Sequence, residues 1–105
     1  MSWVLLVLAG LLEIGWAIGI KLSEGFSRPI PSILTILAMV LSMFLLGVSV
    51  KELPIGTAYA IWVGIGTFGA GILGILIFHE PVSPLRVASL AFIVVGIVGM
   101  KLSSG

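Results

Sequence analysis

The sequence has no cysteine, no aspartate and little charge of either sign. Its 105 residues include five basic side chains and four glutamates, 9% charged in all, where an ordinary soluble domain carries about 25% to face water. Each shortage closes off a class of function. Without cysteine there is neither a disulfide scaffold nor a thiolate metal site. Five scattered cations make no nucleic-acid surface, and four acids make no acidic tail. A formal net charge of +1 supplies no long-range field. What the chain has in excess is hydrocarbon, with 60% apolar residues. The solvent that suits such a composition is lipid, and the chain reads as an integral membrane protein.

A helix needs about 20 mainly apolar residues to cross a hydrocarbon core of about 30 Å. The few charges divide the chain into four such segments, at about 3–20, 33–50, 57–78 and 87–100. The last is short between Arg86 and Lys101, about 21 Å at 1.5 Å per residue, and both side chains can snorkel outward to extend it. In lipid every backbone N–H and C=O must be paired within its own segment, so these are helices rather than strands. The expected fold is an all-α membrane protein, a single four-helix transmembrane domain over residues 1–105, with loops of about 6 to 12 residues. The N-terminal run is expected to be a retained first helix and not a signal peptide, because it lacks a basic start and contains Glu13.

Orientation normally follows the Lys/Arg excess in short cytoplasmic loops. With four spans, Lys51, Lys101 and the α-amino group fall on one side, and Lys21, Arg28 and Arg86 on the other. Two side chains against three is almost no bias, so the chain is expected to insert both ways up. Four helices barely enclose a ligand, and many transporters surround a midplane site with two inverted repeats. No internal repeat is visible here, and two copies inserted oppositely recreate that symmetry by assembly. An antiparallel, dual-topology homodimer is therefore the expected working unit. In the third span Gly66, Ala70 and Gly74 make a small-xxx-small row suited to close helix approach, within the chain or between copies. Gly10, Gly64 and Gly66 are the candidate packing or hinge positions, with a bend expected near Gly64 to Gly66. On the fourth span Phe92 with Gly96, and Val95 with Gly99, outline a weaker contact ridge.

One charge lies where the others do not. Glu13 sits near the middle of the first span, where a carboxylate costs several kcal/mol and is by default part of an ion or substrate pathway. Trp16 and Gly10 share its helical face. On the second span Thr35, Ser42 and Ser49 recur at seven-residue intervals. Thr35 and Ser49 are expected to satisfy their own i−4 carbonyls, leaving Ser42 at mid-depth for a second role. On the third span Tyr59 and Trp62 stand at i and i+3, with Trp62 too deep for an interfacial belt. Together these residues suit a small cation: a carboxylate for charge, aromatic faces for cation–π attraction and hydroxyls to orient the acid. An acid at that depth holds either a proton or a cation, and that competition is enough to couple proton entry to cation exit. His79, beside Glu80 at a helix end, is expected to be solvated and structural rather than a proton relay. Nothing outlines an enzyme, metal centre or cofactor site.

Glu13 with Trp16, the loop Lys21-x-x-x-Gly25-Phe26-Ser27-Arg28-x-x-Pro31-Ser32, and the stretch from Leu53 through Pro54, Ile55, Gly56, Thr57, Ala58, Tyr59, Ala60 and Ile61 to Trp62 resemble the small multidrug resistance family over essentially the whole chain. The resemblance implies antiparallel homodimers that exchange protons for cations across the bacterial inner membrane. It makes Glu13 the shared proton and substrate carboxylate, Tyr59 and Trp62 the binding aromatics, and Ser42 a hydroxyl near the acid. Trp16, with Met39 and Met43 flanking Ser42, resembles the guanidinium-exporter branch, where Trp16 and Ser42 would orient the acid pair. Val63 and Gly15 depart from that pattern, which implies a broader substrate range. The expected function is thus proton-coupled export of guanidinium and small substituted guanidinium cations by alternating access. The alternatives are a polyspecific quaternary-ammonium exporter, a passive small-cation channel and, least attractive given Glu13, a purely structural membrane subunit.

Overall fold

The computed structural model describes residues 2–103; Met1, which bears the α-amino group counted above, and residues 104 and 105 lie outside the described residues. Four helices follow one another: α1 (Ser2–Leu22), α2 (Pro29–Ser49), α3 (Ile55–Phe78) and α4 (Pro84–Ser103). Their lengths of 21, 21, 24 and 20 residues correspond to about 30–36 Å, enough for each to cross the hydrocarbon core.

The helices outrun the spans marked by charge. α2, α3 and α4 start two to four residues earlier, and α4 reaches 20 residues where fourteen lie between Arg86 and Lys101. Charges mark where hydrocarbon ends, whereas a hydrogen-bond ladder continues into the interface. Pro29 and Pro84 open α2 and α4, where a missing N–H removes no intrahelical bond. The connections at 23–28, 50–54 and 79–83 are therefore six, five and five residues long, at or just below the short end of the expected range.

Two of these turns are tied by their own groups. Fully buried Ser23 donates its hydroxyl to the Ile20 carbonyl at 2.8 Å and accepts the Phe26 N–H at 3.0 Å. That clamp holds Glu24, Gly25 and Phe26 at φ 52°, 72° and 67°, a left-handed run that only glycine adopts without strain. His79 closes α3 at φ 55°, and the N–H groups of His79 and Glu80 both donate to the Gly74 carbonyl, satisfying a helix end that would otherwise be unpaired. Exposed His79 is thus a helix terminator.

α1 packs on α2 and α3, and α4 packs on α3, with only a slight contact between α2 and α3. The buried apolar cluster is small: Leu6 and Ala9 of α1 with Ala58, Ile61 and Trp62 of α3. Most other large apolar side chains face outward, which suits acyl chains and not water. Glycines set the helix spacing. A Cβ at Gly10 would meet Ile65 of α3, and one at Gly64 would meet Ile97 of α4. The row on α3 is occupied within the chain, since Gly66 faces Glu13 and Gly74 faces Glu80. α3 stays helical through Gly64 to Gly66. The α4 ridge is not used inside the chain: Phe92 is 75% exposed, and a Cβ at Gly96 or Gly99 would meet nothing.

The two ends carry matching anchors. At one, Lys101 lies 4.6 Å from the Trp3 ring centre and Ser2 donates to Glu52 at 2.8 Å. At the other, Lys21 lies 4.9 Å from the Phe78 ring, and Arg86 pairs with Glu80. These place cationic and aromatic groups where interfaces favour them.

Candidate functional site

Glu13 projects from the middle of α1 toward α3, and Gly66 makes room for it. A Cβ built on Gly66 would overlap the Glu13 carboxylate, so any larger residue there would displace the acid or the helix. One helical turn along, Trp16 joins the same cavity, a space of about 300 Å³ lined by Glu13, Trp16, Ala17, Gly66, Thr67 and Ala70.

Two polar atoms on this wall have no hydrogen-bond partner among the described residues: Glu13 Oε1 and Trp16 Nε1, both buried. Buried polar atoms are paired in roughly 90% or more of cases. An unpaired acceptor and an unpaired donor beside one cavity, at mid-span, make it the candidate site. A carboxylate there offers two acceptor oxygens to a cation, and the indole offers one donor and an aromatic face. A larger groove of about 470 Å³ between α1 and α2 passes Gly15, Gly19 and Arg28, but it is mainly apolar and holds no acid.

The other expected residues form a second unit. Ser42, fully buried, donates its hydroxyl to the Ala9 carbonyl at 2.6 Å and accepts the Trp62 indole N–H at 2.9 Å. Helix register makes the Ala9 carbonyl the acceptor of the Glu13 amide. The chain Trp62–Ser42–Ala9 therefore pins α3 and α2 to α1 one turn below the acid, and Ser42 bears on Glu13 through the backbone rather than through the carboxylate. Tyr59, 54% exposed, lies with its ring centre 5.6 Å from that of Trp62, which is itself 5% exposed. Neither aromatic lines the Glu13 cavity. Thr35 and Ser49 donate to Pro31 and Leu45, their own i−4 carbonyls, at 2.7 and 2.9 Å. Gly10 is buried against Ile65 and takes no part in the cavity wall.

Sequence reasoning missed Thr67 and Ala17 on that wall. A hydroxyl at mid-depth immediately after Gly66 was the available signal for Thr67.

An isolated membrane-depth acid, an adjoining tryptophan and a glycine opposite are now joined by a comparison of sequence. The family model described as Small Multidrug Resistance protein matches residues 1–93. The chain belongs to the small multidrug resistance family. A Guanidinium exporter of Escherichia coli (strain K12) is 57% identical over 104 residues, 99% of each chain. A Guanidinium exporter of Salmonella typhimurium is 60% identical over 104 residues, again 99% of each. That of Yersinia pseudotuberculosis is 56% identical, covering 99% of this chain and all of its own. With four helices of spanning length, this member of the small multidrug resistance family is a multi-pass inner-membrane protein.

Proposed function

We propose that this chain exports guanidinium and small substituted guanidinium cations in exchange for protons, by alternating access, as an antiparallel homodimer. The observation that carries the proposal is Glu13, a carboxyl group with an unpaired oxygen at the centre of a membrane span, facing a cavity that Gly66 keeps open. Full-length relatives named Guanidinium exporter support the choice of cargo.

The chemistry follows from the groups present. An ionised Glu13 pairs in two-point fashion with a planar guanidinium ion, whose geometry matches a carboxylate. Trp16 adds its ring face, and Tyr59 and Trp62 are aromatic surfaces for cargo or for closing the site. A proton arriving at Glu13 removes the negative charge that held the cation. Because one carboxyl serves both, proton and cargo bind alternately, and a proton gradient drives cargo uphill. Gly10, Gly64 and Gly66 act as the close-packed points about which α1, α3 and α4 move. One chain leaves its cavity open on one side, and an inverted second copy supplies the inverted repeat that such transporters use.

Purified protein in liposomes with an imposed proton gradient tests this. Uphill guanidinium flux that is lost in Glu13→Gln supports proton-coupled export. Current without proton coupling would instead indicate a channel, and equal competition by a bulky tetraphenyl-type cation a multidrug exporter.

A further inference from the structure

Thr67 differs from the other serine and threonine side chains of the described residues. The helical hydroxyls of Ser32, Thr35, Ser49 and Ser89 donate to the carbonyl four residues back, and Ser42 donates to Ala9. The remaining ones are engaged in turns, with Glu52, at the start of α3 or at the end of α4. Thr67 alone has no hydrogen-bond partner among the described residues, although the Val63 carbonyl one turn back is the usual sink for such a hydroxyl. Its position is on the wall of the Glu13 cavity.

The other lining residues show why that matters. Ala17, Gly66 and Ala70 offer no polar side-chain atom, and the Trp16 indole is a donor only. Apart from the carboxylate, Thr67 is the sole side-chain acceptor on this wall. A guanidinium ion carries N–H donors on all three nitrogens and has no acceptor. Glu13 can take one edge of it, which leaves further N–H groups to be matched at a depth where water is scarce. Leaving them unmatched is costly.

Building on the transport reading above, we propose that Thr67 is a substrate-positioning residue: its hydroxyl accepts an N–H of the guanidinium ion held by Glu13 and fixes the plane of the cation in the cavity. The side chain does not carry the proton exchanged at Glu13, so it acts on how cargo is held and not on coupling.

The test is guanidinium uptake by the full-length protein in liposomes, comparing wild type with Thr67→Val, which keeps the shape and removes the hydroxyl, and Thr67→Ser, which keeps the hydroxyl. Loss of one such bond is expected to raise KM by about 3- to 10-fold, with kcat within about 2-fold of wild type. Thr67→Ser is expected to restore KM, and acidification is expected to weaken guanidinium binding equally in all three. An unchanged KM in Thr67→Val overturns the proposal, as does a fall in kcat at constant KM or failure of the serine to rescue. If wild type itself shows no guanidinium uptake, or Glu13→Gln transports normally, the transport reading fails and this inference falls with it.

Discussion

At the scale of single side chains, the polar groups of the three inner helices fall into two sets with different partners. Glu13 and Trp16 line the cavity and each keep one buried polar atom unpaired among the described residues, while Ser42 and Trp62 spend theirs on joining helices. The first set should govern cargo. Gly66→Ala puts a methyl where the Glu13 carboxylate lies, and guanidinium uptake is expected to fall at least about 10-fold, a loss of at least about 1.4 kcal/mol, with normal elution of the purified protein as the folding check. Acidification is expected to weaken guanidinium binding to wild type, since protonation removes the only carboxylate in the span. α2 has no ionisable side chain and α3 only Tyr59, so isothermal titration across pH should show that dependence vanish in Glu13→Gln. The second set should govern stability. Ser42→Ala leaves the Trp62 indole N–H without its acceptor, and unfolding in detergent is expected to show a loss of roughly 0.6–2 kcal/mol. The acid and its tryptophan were legible in the sequence because a charge inside an apolar run needs no structure to stand out. The Ser42 bonds were not, because Ala9 and Trp62 lie 33 and 20 residues away along the chain. Periodicity shows that a hydroxyl shares a stripe; it does not show which helix that stripe meets.

At the scale of helices and turns, the constraint that lipid places on the backbone made the element type and number readable, since an apolar run of spanning length has only one way to pair its own amides. The ends were less readable. Charges misplace them because Arg86 and Lys101 belong both to the interface and to α4, whose ladder passes through them. The caps were also hidden: Ser23 as a turn clamp and His79 as a left-handed terminator follow from contacts with Ile20, Phe26 and Gly74. His79 separates structure from chemistry cleanly. It holds φ 55° at the end of α3, a conformation glycine adopts without the steric penalty of roughly 1 kcal/mol. His79→Gly is therefore expected to leave thermal stability unchanged or raise it by up to about 1 kcal/mol, and to leave proton-driven guanidinium uptake intact. A proton relay at this position would predict the opposite, with uptake collapsing while the melting temperature held.

At the scale of the whole molecule, two features set the assembly question: a small core, and an α4 that rests on α3 alone with Phe92, Val95, Gly96 and Gly99 facing away from the chain. The balance of positive side chains, three at the Lys21 end against two at the Lys51 end, is too even to fix one orientation. That balance can be tilted on exposed positions remote from the Glu13 cavity. Val82→Lys with Leu85→Lys adds two cations to the three already at that end, and both side chains face outward. Ile55→Lys, Leu102→Lys and Ser103→Lys together tilt the chain the other way from the opposite end, five cations against three, also on exposed residues. A C-terminal reporter active on one side of the membrane should show each variant inserting in a single, opposite orientation. Under the antiparallel proposal, each variant alone is expected to lose most guanidinium export, because every partner it meets points the same way. Coexpression of the two should restore export, since each then supplies the inverted half the other lacks. Full export by either variant alone, with its reporter on one side only, would mean that a parallel assembly or a lone chain does the work, and the inverted-repeat argument for this small bundle would have to be abandoned.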